Sequence, residues 1–113
     1  MNCIHVPTRR ILAQHVEKAD TFLTRLWGLM GRKELVDQAA LLLDPCPQIH
    51  TCFMRFNIDV LFLDGQDRVV AVVENMKPWR MSKFYALARR TLELPGGSLR
   101  GLVQVGDELL FNE

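Results

Sequence analysis

Apolar and polar positions alternate over residues 10–16, with Ile11 and Ala13 apolar and Gln14 and His15 interleaved, and this predicts a first strand. The period then changes. In 21–30 the apolar residues Phe22, Leu26, Leu29 and Met30 recur at steps of three and four, which lines one face of a helix. Asp20 or Thr21 can cap its start, and Gly31 can end it in a left-handed turn. Residues 39–43 read as a short buried strand, stopped by Asp44-Pro45-Cys46-Pro47, where two prolines remove two ladder donors. The strongest local pattern is a pair of β-rich runs, 57–63 and 68–73, separated by Asp64-Gly65-Gln66-Asp67, which predicts a β-hairpin. Both runs are apolar at nearly every position, so both faces of the hairpin are expected to be covered. Residues 77–88 lose all periodicity and read as a loop around Pro78 and Ser82. A strand at 90–94 ends at Pro95-Gly96-Gly97, a turn runs through 98–102, and Gly106-Asp107 leads into a last strand at 108–111.

These elements predict an α+β domain, a small barrel-like sheet of antiparallel or mixed strands, about six in number, with one main helix. At 113 residues the whole chain is expected to be a single domain around one core. Apolar residues make up 49 % and charged residues 24 %, the balance of a folded protein. Fourteen basic against thirteen acidic residues leave a net charge of +1, so any attraction to nucleic acid or acidic lipid has to come from a local patch. No apolar run approaches a membrane span, the longest being 41–43 and 69–73, and the N-terminus lacks the basic start and apolar stretch of a secretory signal. Three cysteines, an odd number, argue against a disulfide framework and fit a reducing compartment; the expected location is the cytoplasm.

Three blocks carry a family resemblance: Arg25-Leu26-Trp27-Gly28-Leu29-Met30; His50-Thr51-Cys52-Phe53-Met54-Arg55-Phe56-Asn57-Ile58-Asp59 with 60–64 after it; and Leu92-Glu93-Leu94-Pro95-Gly96-Gly97. In that order they resemble the domain of unknown function 192 family, from about Ile11 to the C-terminus. The resemblance implies a compact β-barrel-like α+β fold and no established activity. Two positions depart from the pattern: Cys52-Phe53 stands where members commonly have an aromatic pair ending in tryptophan, and Asn57 where many have proline. Many members carry a secretory or lipoprotein leader, which pulls against the cytoplasmic expectation.

The matched blocks supply the candidate ligand-binding residues Arg25, His50, Cys52, Met54, Arg55, Asp59 and Glu93. Two arginines near two carboxylates either satisfy one another as a closed network or clasp an anionic ligand. His50 and Cys52 are two apart, so on an extended segment they share a side, and the imidazole could activate the thiol. Adding Cys46 gives only three potential metal ligands without a paired Cys-x2-Cys spacing, so no metal, cofactor or catalytic residue is assigned. Between Glu74 and Glu93 there is no acid, while Lys77, Arg80, Lys83, Arg89 and Arg90 occur among Trp79, Phe84 and Tyr85. Lys77, Trp79, Arg80 and Lys83 are therefore the candidate partner-binding residues. Single-stranded nucleic acid could be held by such a mixture, but no RNP-type, KH-type or helix-turn-helix signature accompanies it. Phosphate-loop, dinucleotide-turn, nucleophile-elbow and His-Glu-x2-His signatures are absent too. The leading expectation is a small binding or accessory module with a polar site at the mouth of the barrel. Its competitors are an enzyme acting on a small polar or anionic substrate there, and a nucleic-acid binder using 77–90.

Overall fold

The computed structural model describes residues 1–19, 38–52 and 54–112. Among these the chain is all-β: eight strands in two sheets and no helix. This corrects the α+β expectation. The helix expected at 21–30 lies outside the described residues.

The strands are β1 (Asn2–His5), β2 (Arg10–Ala13), β3 (His15–Ala19), β4 (Ala39–Leu43), β5 (Ile58–Leu63), β6 (Val69–Met76), β7 (Arg90–Pro95) and β8 (Leu109–Asn112). One sheet has three strands in the order β2-β1-β8, and the other has five in the order β3-β4-β7-β5-β6. The excess over six strands has two sources. The run expected as a single strand at 10–16 breaks at Gln14 into β2 and β3, which join different sheets. The break is held by the Gln38 carbonyl, which accepts the N–H groups of Gln14 and His15 at 2.9 and 3.0 Å. The other source is β1, four residues paired antiparallel to both β2 and β8.

Period-two alternation decides which core each strand serves. Ala40 and Leu42 of β4, Leu61 and Leu63 of β5, and Leu92 and Leu94 of β7 face the three-stranded sheet, where they meet Cys3, Leu12, Ala13 and Leu109. The alternate residues Leu41, Leu43, Val60 and Phe62 face the other way, into a second cluster with Cys46, Ile49, Met54 and Ala88. Both faces of the five-stranded sheet are therefore covered, and all six residues of β5 are buried. On β6, by contrast, Glu74 and Asn75 are exposed, because that strand is the sheet edge and only part of it lies under cover.

The β5–β6 hairpin forms through the side chain of Asp64, whose Oδ1 accepts the N–H groups of Gln66 and Arg68 at 2.8 and 3.0 Å. A short polar side chain that satisfies turn amides is the reason aspartate favours this position. The pair β3–β4 is parallel, His15 opposite Ala39 and Ala19 opposite Leu43. No helix among the described residues is long and apolar enough to cross a membrane, a statement that leaves membrane β-barrels untouched.

A partly buried polar pair ties β1 to the turn before β8. The His5 ring is 1 % exposed, its Nε2 donates to Asp107 Oδ2 at 2.7 Å, and its Nδ1 lies 2.7 Å from the Thr8 hydroxyl. The hydrogen bond from His5 holds the Asp107 carboxyl below its ordinary value, with the Gln104 amide adding to the effect. A lowered carboxylate pKa contributes stability that is fully present above the unfolded value near 4 and lost as pH falls through the folded value. The Asp107→Asn variant is therefore expected to show a flatter stability profile below about pH 4 than the wild type. Urea midpoints at a series of pH values measure this, and parallel profiles would refute it.

Candidate functional site

Segment 48–52 is extended and runs alongside 77–85, forming a strap outside the second core. Thr51, completely buried, is the hub. Its hydroxyl donates to the Lys77 carbonyl at 2.6 Å and accepts the Arg80 N–H at 2.8 Å. Its main chain bonds Arg80 and Trp79, with Thr51 N–H to the Arg80 carbonyl at 2.8 Å and Trp79 N–H to the Thr51 carbonyl at 3.0 Å. Further along, Ser82 N–H donates to the Ile49 carbonyl at 2.9 Å and Tyr85 N–H to the Pro47 carbonyl at 3.0 Å. The Tyr85 ring turns inward, 4.5 Å between centroids from Phe62.

Several large side chains of the segment that follows β6 nevertheless face solvent. Trp79, Met81, Phe84 and Leu87 are 59, 71, 64 and 76 % exposed, and Lys77, Arg80 and Lys83 are exposed among them. Scattered exposed apolar residues are ordinary, but four large ones on one twelve-residue stretch, 77–88, constitute a patch. His50, also exposed, continues it through its bridge to Met81. Lys77, Trp79, Arg80 and Lys83 were legible in the sequence as cations between aromatics. Met81 and Leu87 were not, since nothing in an aperiodic apolar residue distinguishes outward from inward.

Of the residues expected at the barrel mouth, all but Arg25 are among the described residues. Asp59 is completely buried and its carboxylate accepts three main-chain N–H groups: Asn75 at 2.8 Å and Gly97 at 3.2 Å on Oδ1, and Leu99 at 2.9 Å on Oδ2. These three main-chain donors come from the end of β6 and from the loop after β7. Register puts Asp59 opposite Leu94 and Val60 opposite Glu93. Since opposite residues share a face and neighbours alternate, Asp59 and Glu93 lie on opposite faces of the five-stranded sheet. Met54 is buried in the second core, Arg55 is exposed, and Arg25 lies outside the described residues.

His50 and Cys52 are adjacent, but the contact joins the Cys52 N–H, not its thiol, to His50 Nδ1, at 3.3 Å. A neutral ring that accepts at Nδ1 carries its proton on Nε2, so that nitrogen is not free to take a thiol proton. Cys46 is buried and its thiol donates to the Gln48 carbonyl at 3.1 Å. Burial pushes the Cys3 thiol up to about 12, which leaves it inert. Among the described residues no three His, Cys, Asp or Glu side chains are placed to hold a metal ion.

Asp59 instead organises the loop that follows β7. Gly97 and Gly101 have φ of +85° and +75°, and a Cβ on Gly96 would sit 2.9 Å from the Asn57 carbonyl oxygen, so the chain passes β5 closely only because that residue is glycine. Between this loop and β2 lies an open concavity of about 500 Å³, lined by Arg10, Gln38, Ser98 and Arg100 among others. None of these was expected as a site residue. They come from three distant parts of the chain and form no motif.

The family model described as "Uncharacterized ACR", DUF192, matches residues 4–111. The UPF0127 protein of Pyrococcus furiosus is 38 % identical over 101 residues, which cover 86 % of each chain. That of Pyrococcus horikoshii is 42 % identical over 85 residues, 73 % of each. Two crystal structures share the fold at a TM-score of 0.76. One is a Sinorhizobium meliloti protein named as a candidate transcription regulator, 24 % identical, with 96 % of this chain and 89 % of that one covered. The other is a Novosphingobium aromaticivorans protein of unknown function, 20 % identical, with 98 and 93 % covered.

Proposed function

We propose, on the premise that this chain belongs to the DUF192 family, that it is a binding module and that its docking surface is the strap at 77–88. The partner is a protein that presents acidic side chains around an apolar patch. The observation that carries this reading is the outward display of Trp79, Met81, Phe84 and Leu87 between Lys77, Arg80 and Lys83 on a backbone pinned through Thr51. A pinned display has already lost much of the freedom that binding would otherwise have to remove, so more of each contact remains as affinity. Aromatic and methionine side chains are the types that anchor protein interfaces, with charges at the rim steering the encounter.

Single-stranded nucleic acid fits less well. Stacking needs free π faces, and of the three aromatics in the segment Tyr85 packs on Phe62, while Met81 and Leu87 have no such face. Arg90, counted among the cations, is taken by Asp67 and lies over the Phe111 ring at 5.0 Å.

A photo-cross-linking amino acid at position 84 or 87, irradiated in cells, is expected to give a covalent adduct with one predominant acidic protein. The double charge reversal Lys77→Glu with Lys83→Glu should abolish it. The same label at position 110, where an exposed leucine sits on the other sheet, provides the background. Adducts that are equal at 84 and 110, that survive charge reversal, or that disappear with nuclease would overturn the reading.

A further inference from the structure

We infer that the concavity between β2 and the 95–102 loop binds a small oxyanion, phosphate-like or carboxylate, through the guanidinium groups of Arg10 and Arg100 with the Gln38 amide beside them. This site is separate from the strap and does not depend on it.

Three observations carry the inference. First, the volume of about 500 Å³ falls within the usual range of small-ligand clefts, and the described residues that line it include two arginines and no carboxylate. Second, the carboxylates at this loop are already occupied. Asp59 accepts the amides of Gly97 and Leu99, and Glu74 accepts that of Gly101 at 3.1 Å. Among the described residues the Arg10 guanidinium has no acidic partner, and Arg100 Nε donates only to the Gly97 carbonyl, at 3.3 Å. Third, the loop is rigidly built rather than loosely draped. Its amides at Gly96, Ser98 and Leu102 bond the carbonyls of Asn57, Pro95 and Leu99.

That third point also fixes what kind of site it is. Because the loop's amides are spent inward, it is not a nest of main-chain donors, and recognition falls to side chains. A guanidinium presents a planar fork that matches an oxyanion bidentately, which a lysine cannot do. Gln38 is held in a left-handed conformation, φ 65°, by the two amides its carbonyl accepts, so its position on the rim is set by the strand break between β2 and β3.

Titration of the 15N-labelled full chain with inorganic phosphate, and separately with malonate, at ionic strength held constant with chloride, tests the site. Saturable amide shifts are expected at Gln38 and 96–102 with at least one of the two anions. Arg10→Gln and Arg100→Gln should each weaken binding about tenfold. Arg68→Gln, an exposed arginine paired with Glu108 elsewhere, should leave it unchanged. Both substituted arginines are exposed, and amide spectra that overlay away from the loop will show that the variants remain folded. Shifts that fail to saturate with both anions, that persist in the double arginine variant, or that are matched at 77–83 would overturn the inference.

Discussion

Replacement of Asp59 by alanine is expected to cost about 3–5 kcal/mol of folding stability, the largest effect of any single polar substitution among the described residues. The carboxylate is fully buried, and each of its oxygens is committed: Oδ1 to the amides of Asn75 and Gly97, Oδ2 to that of Leu99. Alanine would strand three N–H groups from two separate segments, the end of β6 and the loop after β7. A buried amide without a partner costs about 1–3 kcal/mol, and charge-assisted bonds lie at the strong end of the scale. The sum falls short of three full penalties because part of the loop can open to water. Asparagine should be milder, about 2 kcal/mol, since its oxygen can keep the Asn75 and Gly97 amides while its NH2 faces the Leu99 donor. Guanidinium chloride unfolding measures both. The order alanine worse than asparagine distinguishes amide satisfaction from simple packing, and a loss below 1 kcal/mol in the alanine variant would show that the carboxylate is dispensable.

That aspartate marks how far local sequence could reach. A buried charge among apolar neighbours needs partners, and this much follows from Ile58-Asp59-Val60 alone. Which partners it has does not follow, because main-chain N–H groups occur at almost every residue and leave no trace in composition. Arginines are visible in a sequence as candidate partners, and main-chain amides are not.

The same limit governs the fold. The β5–β6 hairpin was legible because two apolar runs flank a four-residue polar turn, a pattern contained within twenty residues. The strand β1 was not. In Asn2-Cys3-Ile4-His5 only alternate residues are buried, and the inward pair is a cysteine and a histidine, so no apolar period appears. His5 is tolerated inside because Thr8 and Asp107, the latter at the far end of the chain, satisfy its two ring nitrogens. Similarly, 10–16 alternates as a single strand should, and the break at Gln14 depends on the carbonyl of Gln38. Contacts closed over such separations decided the number of strands and their division into two sheets.

Of the candidate surfaces, the strap was legible in charge but not in direction. The run without acids between Glu74 and Glu93 pointed to Lys77, Trp79, Arg80 and Lys83, yet the path of 79–85 follows its hydrogen bonds to 47–51, which composition does not show. The concavity beside the 95–102 loop was illegible altogether, because Arg10, Gln38 and Arg100 line it from three distant parts of the chain.

The replacement Thr51→Val should separate the architecture of the strap from its surface chemistry. Valine preserves the shape of the side chain while removing the hydroxyl that donates to the Lys77 carbonyl and accepts the Arg80 N–H. Both groups would then be buried beside a methyl, at an expected cost of about 2 kcal/mol. Because the lost bonds all lie within one segment, much of the response should be local. Amide exchange at Trp79, Arg80 and Ser82 is expected to accelerate well beyond that of β5 and β7, whose ladders do not involve Thr51. Thr51→Ser retains the hydroxyl and should restore slow exchange, with a stability loss of about 1 kcal/mol from the missing methyl. Docking should follow exchange rather than surface composition, since every outward side chain is identical in the three proteins. Photo-adduct yield at position 84 should therefore fall in the valine variant and recover in the serine variant. Unchanged exchange in Thr51→Val would mean that the strap is held by its apolar contacts alone, and the hydroxyl would lose its role as the anchor of the docking surface.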